Sequence, residues 1–122
     1  MKKANNLKEK SFQFALDIIK LSQTLLNKKE YIISKQLIRS GTSVGAQIRE
    51  AEFAESRADF IHKLSLAQKE INESIYWLEI LQKSEWITIE EFNPIHFKAI
   101  EILKILISII TKVKNKKLIT NN

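Results

Sequence analysis

The sequence predicts an all-α fold, an antiparallel up-down-up-down four-helix bundle that oligomerises, and three observations predict it. One proline and two glycines stand among 122 residues, against usual frequencies of roughly 5% and 7%, so the turn chemistry of hairpins and sheets is missing. Apolar residues recur every three or four positions through four long stretches, the period of a helix with a buried stripe. Short connectors separate these stretches, and helices of similar length joined in that way pack most simply as antiparallel neighbours. A single domain over residues 1–122 is expected, long enough to bury a core without disulfides or metal.

Helix 1 is expected over about residues 7–26, where Leu7, Phe14, Ala15, Ile18 and Leu25 share a side, and Asn27-Lys28-Lys29 ends it. Helix 2, over about 31–55, carries Ile33, Leu37, Ile38, Val44 and Ile48. Ser56 is placed to cap helix 3, over 57–83, because its hydroxyl can accept from the amide of Asp59, whose carboxylate suits the positive helix start. Its stripe is Ile61, Leu64, Ile71, Ile75 and Leu78. Thr88-Ile89-Glu90-Glu91 reads as a capping box opening helix 4, over 88–114. Pro94 leaves two options there, a kink or a true start at Asn93, since proline lacks an N–H and clashes one turn back.

Both glycines fall in GTSVG, residues 41–45, where the spacing of four puts Gly41 and Gly45 on one side of helix 2 with Ser40, Ser43 and Ala46 nearby. A phosphate loop would follow a strand and end in Gly-Lys-Ser/Thr, and this segment has neither. Each mid-helix glycine costs about 0.5–1 kcal/mol relative to alanine. Close approach of another helix backbone offsets that cost, so helix packing is the expected role; a local kink and anion binding are the alternatives.

The same region carries a resemblance. RSGTSVGA (39–46), REA (49–51), Ser56, DFIHKL (59–64), KE (69–70) and YWL (76–78) resemble the signature of a bacterial four-helix-bundle family first noticed as proteins encoded in intervening sequences of large-subunit ribosomal RNA genes. Gln47 departs from it, standing where that family usually has Asn. The resemblance implies an antiparallel four-helix bundle, assembly into a ring of five subunits and no enzymatic activity. The accessory protein of diversity-generating retroelements, a basic pentamer that works with a reverse transcriptase and nucleic acid, is similar in architecture only and serves as analogy.

The residues themselves point to assembly as well. Leu66, Trp77 and Ile80 lie roughly opposite the core stripe of helix 3, and Ile100, Ile105 and Ile107 lie off the Ala99–Leu103–Leu106–Ile110 seam of helix 4. A helix that is apolar on several sides is buried on several sides, so Leu66, Trp77, Ile80, Ile100 and Ile107 are the expected oligomer interface. The alternative is that Trp77 stays partly exposed and a neighbouring helix covers Ile80.

Charge is concentrated at the ends. Residues 1–30 hold seven Lys against three acids and residues 91–122 six against two, whereas 61–90 hold three against five. An antiparallel bundle brings Lys2, Lys3, Lys8 and Lys10 to the pole occupied by Lys112, Lys114, Lys116 and Lys117, and these are the nucleic-acid-binding candidates. Glu50, Glu52, Glu55 and Asp59 fall at that pole too and compete for some of the charge. Arg39, Arg49 and Glu70 are read as interhelix or intersubunit ion-pair residues, and Phe53, Phe60 and Trp77 as packing residues rather than a base-stacking platform.

Catalytic chemistry has little to start from. There is no cysteine, and the serines have no evident base and orienting group. His62 and His96 form no pair at ligand spacing, and Asp59-Phe60-Ile61-His62 is a single copy of an acid-x-x-His motif that di-iron bundles need on two helices. No enzyme, metal or cofactor is expected. Lysines precede the first apolar stretch as in a signal peptide, but Asp17 and Lys20 interrupt it, and the run Ile102–Ile110 is about half of the roughly 20 residues a membrane span needs. A cytoplasmic chain without membrane contact is expected, either an oligomer binding RNA or DNA without sequence choice or a ring-shaped adaptor for another protein.

Overall fold

The computed structural model describes the backbone of residues 2–120 and the side chains of residues 6–116. Four helices make up the chain: α1 (Lys2–Asn27), α2 (Ile32–Ala51), α3 (Arg57–Lys83) and α4 (Ile89–Thr120), with no strand among the described residues. α4, at 32 residues, is about 48 Å long. Each helix packs on two others, α1 on α2, α2 on α3, α3 on α4 and α4 back on α1, and no diagonal pair is in contact among the described residues. The core runs along the axis these four enclose, with Phe14, Ile18, Leu37, Ile71, Leu78 and Ile102 fully buried.

The ends of the helices show why each stops where it does. Lys29 has φ 67° and Glu85 φ 66°, and both close their helices in the same way. The amide of Lys29 donates to Leu26 O and that of Glu30 to Leu25 O, while Glu85 donates to Gln82 O and Trp86 to Leu81 O. These are Schellman turns, with a non-glycine residue in the left-handed position that glycine usually fills. Glu30 then opens α2. Its buried carboxylate accepts from the amides of Ser34 at 2.7 Å and Ile33 at 3.3 Å, while its carbonyl accepts from Ser34 Oγ at 2.7 Å.

α2 ends at Ala51, short of the position near 55 expected from its periodicity. Residues 52–54 instead fold into successive i→i+3 turns, from Glu52 to Arg49, Phe53 to Glu50 and Ala54 to Ala51. Ser56 follows in extended conformation, and its Oγ accepts from the Asp59 amide at 3.0 Å. The chain must reverse within these few residues, and a tightened last turn plus an extended cap achieves that. At the start of α4 the Glu91 amide donates to Thr88 Oγ1 at 3.1 Å and the Thr88 amide to Glu91 Oε1 at 2.9 Å, a reciprocal capping box. Pro94 lies inside α4, which begins at Ile89 and not at Asn93. The missing N–H would have bonded the carbonyl of Glu90, an exposed residue whose carbonyl can turn to water.

Contacts between α1 and α2 pass from Lys8–Glu52 through Ser11–Gly45 to Ile18–Gly41. Between α1 and α4 they pass from Lys10–Glu101 to Asp17–Lys98, and between α2 and α3 from Glu50–Lys63 to Ser40–Ser74. The GTSVG segment therefore faces α1 directly. A Cβ on Gly41 would lie 2.9 Å from both γ carbons of Ile18, and one on Gly45 would lie 3.4 Å from Ser11 Oγ and 3.5 Å from the Ser11 carbonyl oxygen.

Candidate nucleic-acid interface and assembly surfaces

The pole where α1 starts and α2 ends carries both signs of charge. Lys8 reaches Glu52 at 3.2 Å, and Lys63 of α3 reaches Glu50 at 3.6 Å. Asp59 accepts from the Glu55 amide at 3.1 Å, within the local turn. Further from the pole, Lys10 pairs with Glu101 at 3.0 Å. Two of the lysines expected to contact nucleic acid, Lys8 and Lys10, are thus committed to intramolecular carboxylates. Leu7, Ile48, Ala51, Phe60, Leu64 and Ile109 close the core beneath this pole, so the final turns of α4 beyond Ile109 lie there too. Lys112, Lys114 and Lys116 are exposed on those turns, and among the described residues no carboxylate pairs with Lys112 or Lys114. The side chains of Lys2, Lys3 and Lys117 lie outside the described residues.

One aromatic at this pole departs from the sequence expectation. Phe53 is not a packing residue: it is 84% exposed, because α2 has ended and the i→i+3 turn at Glu50–Phe53 carries its ring outward. Phe60 and Trp77 are half-buried against the core. The periodicity of helix 2 hides this feature, and the signal that exposes it is the cap at Ser56.

The arginines divide. Arg39 bridges two carboxylates one turn apart on α3, Glu70 at 3.2 Å and Glu73 in closer contact, and Glu73 also accepts from the Trp77 indole N–H at 3.2 Å. Arg49 makes no ion pair among the described residues and instead lies over the Phe12 ring, 5.2 Å from its centroid. The correction has a physical cause. Arg49 points toward α1, whose nearest exposed side chain is aromatic, and a guanidinium over a ring face is attracted by the ring quadrupole.

The expected assembly residues are partly covered. Leu66, Trp77, Ile80 and Ile100 are half-buried, and Ile107 is exposed. Trp77 and Ile100 pack against the core of their own chain, and the Trp77 ring meets Tyr76 edge-on at 5.1 Å. Greater apolar exposure occurs where the sequence reading did not look. Phe12, Leu16, Ile19 and Leu26 form an outward stripe on α1, each 40–51% exposed. Their four-, three- and seven-residue spacing was visible beside the core stripe of the same helix.

Two other features complete the polar inventory. The Thr88 amide donating to Glu91 holds that carboxyl below its ordinary pKa against slight opposing burial, with the Thr88 hydroxyl and the charge of Lys28 adding to the effect. A cleft of about 350 Å³ between α1 and α4 is lined by Asp17, Lys20, Glu90, Pro94 and Lys98 among others, and Lys98 spans it to Asp17 at 2.5 Å. His62 is exposed, and His96 stacks on Phe92 with centroids 4.7 Å apart. Among the described residues no helix is long and apolar enough to cross a membrane.

Comparison with known proteins places this architecture. A crystal structure of a protein with unknown function from the S23 ribosomal protein family, from Bacteroides thetaiotaomicron VPI-5482, is 55% identical and superposes with a TM-score of 0.88. The match covers 89% of this chain and 98% of that one. No functionally curated protein matches. The family model of the 23S rRNA-intervening sequence protein matches residues 3–108, from the start of α1 to the last third of α4. With four helices, the GTSVG contact and this match over most of its length, the chain belongs to the 23S rRNA-intervening sequence protein family.

Proposed function

We propose that the protein is a cytoplasmic, non-enzymatic, antiparallel up-down-up-down four-helix bundle that assembles into a homopentameric ring and binds RNA or DNA without sequence choice. The descending partner numbers along the α1–α2, α1–α4 and α2–α3 contacts support the alternation of helix direction. The nucleic-acid reading is carried by one observation: Lys112 and Lys114, unpaired among the described residues, share a pole with the outward-facing ring of Phe53. Lysines neutralise phosphates irrespective of sequence, and an exposed ring stacks on any base. Repeating a weak pole around a ring multiplies its strength through effective concentration.

Fluorescence anisotropy of a labelled, unstructured RNA over a range of salt concentrations tests this. Affinity is expected to fall with salt, and Lys112→Glu with Lys114→Glu is expected to weaken binding and flatten the log–log slope by about 0.7 per lost phosphate contact. Phe53→Ala is expected to weaken binding while leaving the slope unchanged, since stacking releases no counterions. Absence of binding at low salt overturns the reading and leaves an adaptor for a protein partner.

A further inference from the structure

The outer stripe of α1 is unlike an ordinary solvated helix face. Scattered exposed apolar residues are common, but contiguous ones mark an interface. Among the described residues α1 carries four exposed large hydrophobics, Phe12, Leu16, Ile19 and Leu26, more than any other helix. Its surroundings are predominantly basic. Lys20 on α1 and Lys35 and Arg49 on α2 are exposed without a carboxylate partner among the described residues, with the acid Glu9 at the stripe's beginning.

α3 carries a counterpart of opposite sign. Leu66, Glu70, Glu73, Trp77 and Ile80 follow one another at four, three, four and three residues, so they line one side of that helix. That side borders α2, because Arg39 reaches both glutamates. One guanidinium between two carboxylates leaves the stripe acidic. Its apolar members are half-buried. α1 and α3 do not touch within the chain, so neither face can cover the other in the same molecule.

We infer that the outer face of α1 in one copy docks on the Leu66–Trp77–Ile80 stripe of α3 in a second copy. The inference rests on the assembly reading above and specifies which surfaces meet. Apolar stripe meets apolar stripe, and the Lys20–Lys35–Arg49 rim faces the Glu70–Glu73 pair, a complementarity that favours this pairing over one α1 face against another. The two surfaces differ, so each contact leaves one of each kind unused at its ends. Such head-to-tail contacts close into rings or continue as filaments.

The test uses one variant per face, Leu16→Asp on α1 and Ile80→Asp on α3, with mass read by light scattering and folding by circular dichroism. Each folded variant alone is expected to be monomeric. Their equimolar mixture is expected to give a dimer of one of each and nothing larger, because each retains the face its partner has lost. Assembly of either folded variant as the unaltered protein assembles, or a mixture that stays monomeric, overturns the pairing. Should Ile80→Asp fail to fold, the surface pair Lys20→Glu with Lys35→Glu decides instead: dissociation at least tenfold easier supports the contact, and unchanged assembly overturns it. A monomeric unaltered protein overturns assembly itself, an outcome distinct from failure of this pairing.

Discussion

Gly41 of α2 approaches Ile18 of α1 so closely that a methyl group on the glycine would lie 2.9 Å from both γ carbons of the isoleucine and 3.2 Å from its β carbon. Rotating χ1 of Ile18 only exchanges one branch for the other, and Ile18 is fully buried. Gly41→Ala is expected to destabilise the fold by about 1–2 kcal/mol, overpacking exceeding the gain in helix propensity. Gly45→Ala meets ordinary contacts at 3.4–3.6 Å and is expected to be neutral or to stabilise by up to about 1 kcal/mol. Urea denaturation of both variants checks the opposite signs.

Lys29 and Glu85 occupy the left-handed backbone region without the freedom of glycine. Their side chains incur a steric cost there of about 1 kcal/mol. Lys29→Gly and Glu85→Gly are each expected to stabilise by about 0.5–1 kcal/mol, reduced by the greater freedom of glycine in the unfolded chain. The two sites are far apart in sequence and share no printed contact, so the double variant is expected to add in thermal unfolding.

Arg39 holds Glu70 and Glu73 together on α3. Arg39→Ala leaves two partly buried carboxylates facing each other across one turn and is expected to cost about 1 kcal/mol. Arg39→Lys is expected to recover only part, since an ammonium lacks the fork that spans two acceptors. High salt shrinks the difference between the variants in denaturation midpoints if the effect is electrostatic.

The capping box predicts a pH dependence at the start of α4. Because the folded-state pKa of Glu91 is depressed, its contribution is present above the ordinary glutamate value, about 4.3, and is lost as pH falls through the lowered value. Glu91→Gln is expected to flatten stability against pH in that acid range, and Thr88→Ala to cost about 1 kcal/mol at neutral pH. Solvent exposure keeps the charge contribution small. Chemical denaturation between neutral and acid pH checks both.

Ser40 and Ser74 form a fully buried hydroxyl pair between α2 and α3, 2.8 Å apart. Ser74 also donates to the Glu70 carbonyl at 3.0 Å in the alternative hydroxyl orientation. Ser40→Ala therefore leaves Ser74 a partner and is expected to cost no more than about 1 kcal/mol. Ser40→Val is expected to cost about 1–3 kcal/mol by overpacking, measured in the same assay.

Features governed by groups three or four residues apart were legible in the sequence. The Ser56 cap and the Thr88–Glu91 box form the bonds their spacing implies, because donor and acceptor are brought together by the helix they begin. The core stripes of α1 and α3 could be read for the same reason: the helical period alone determines which residues share a side. Tertiary structure decided the rest. It ended α2 at Ala51 and turned Phe53 outward, laid Arg49 over Phe12 instead of against a carboxylate, and committed Lys8 and Lys10 to Glu52 and Glu101. Each of those outcomes depends on what a different helix presents at the same height, and no local pattern of hydrophobicity or charge encodes how far neighbouring helices are rotated or advanced against one another.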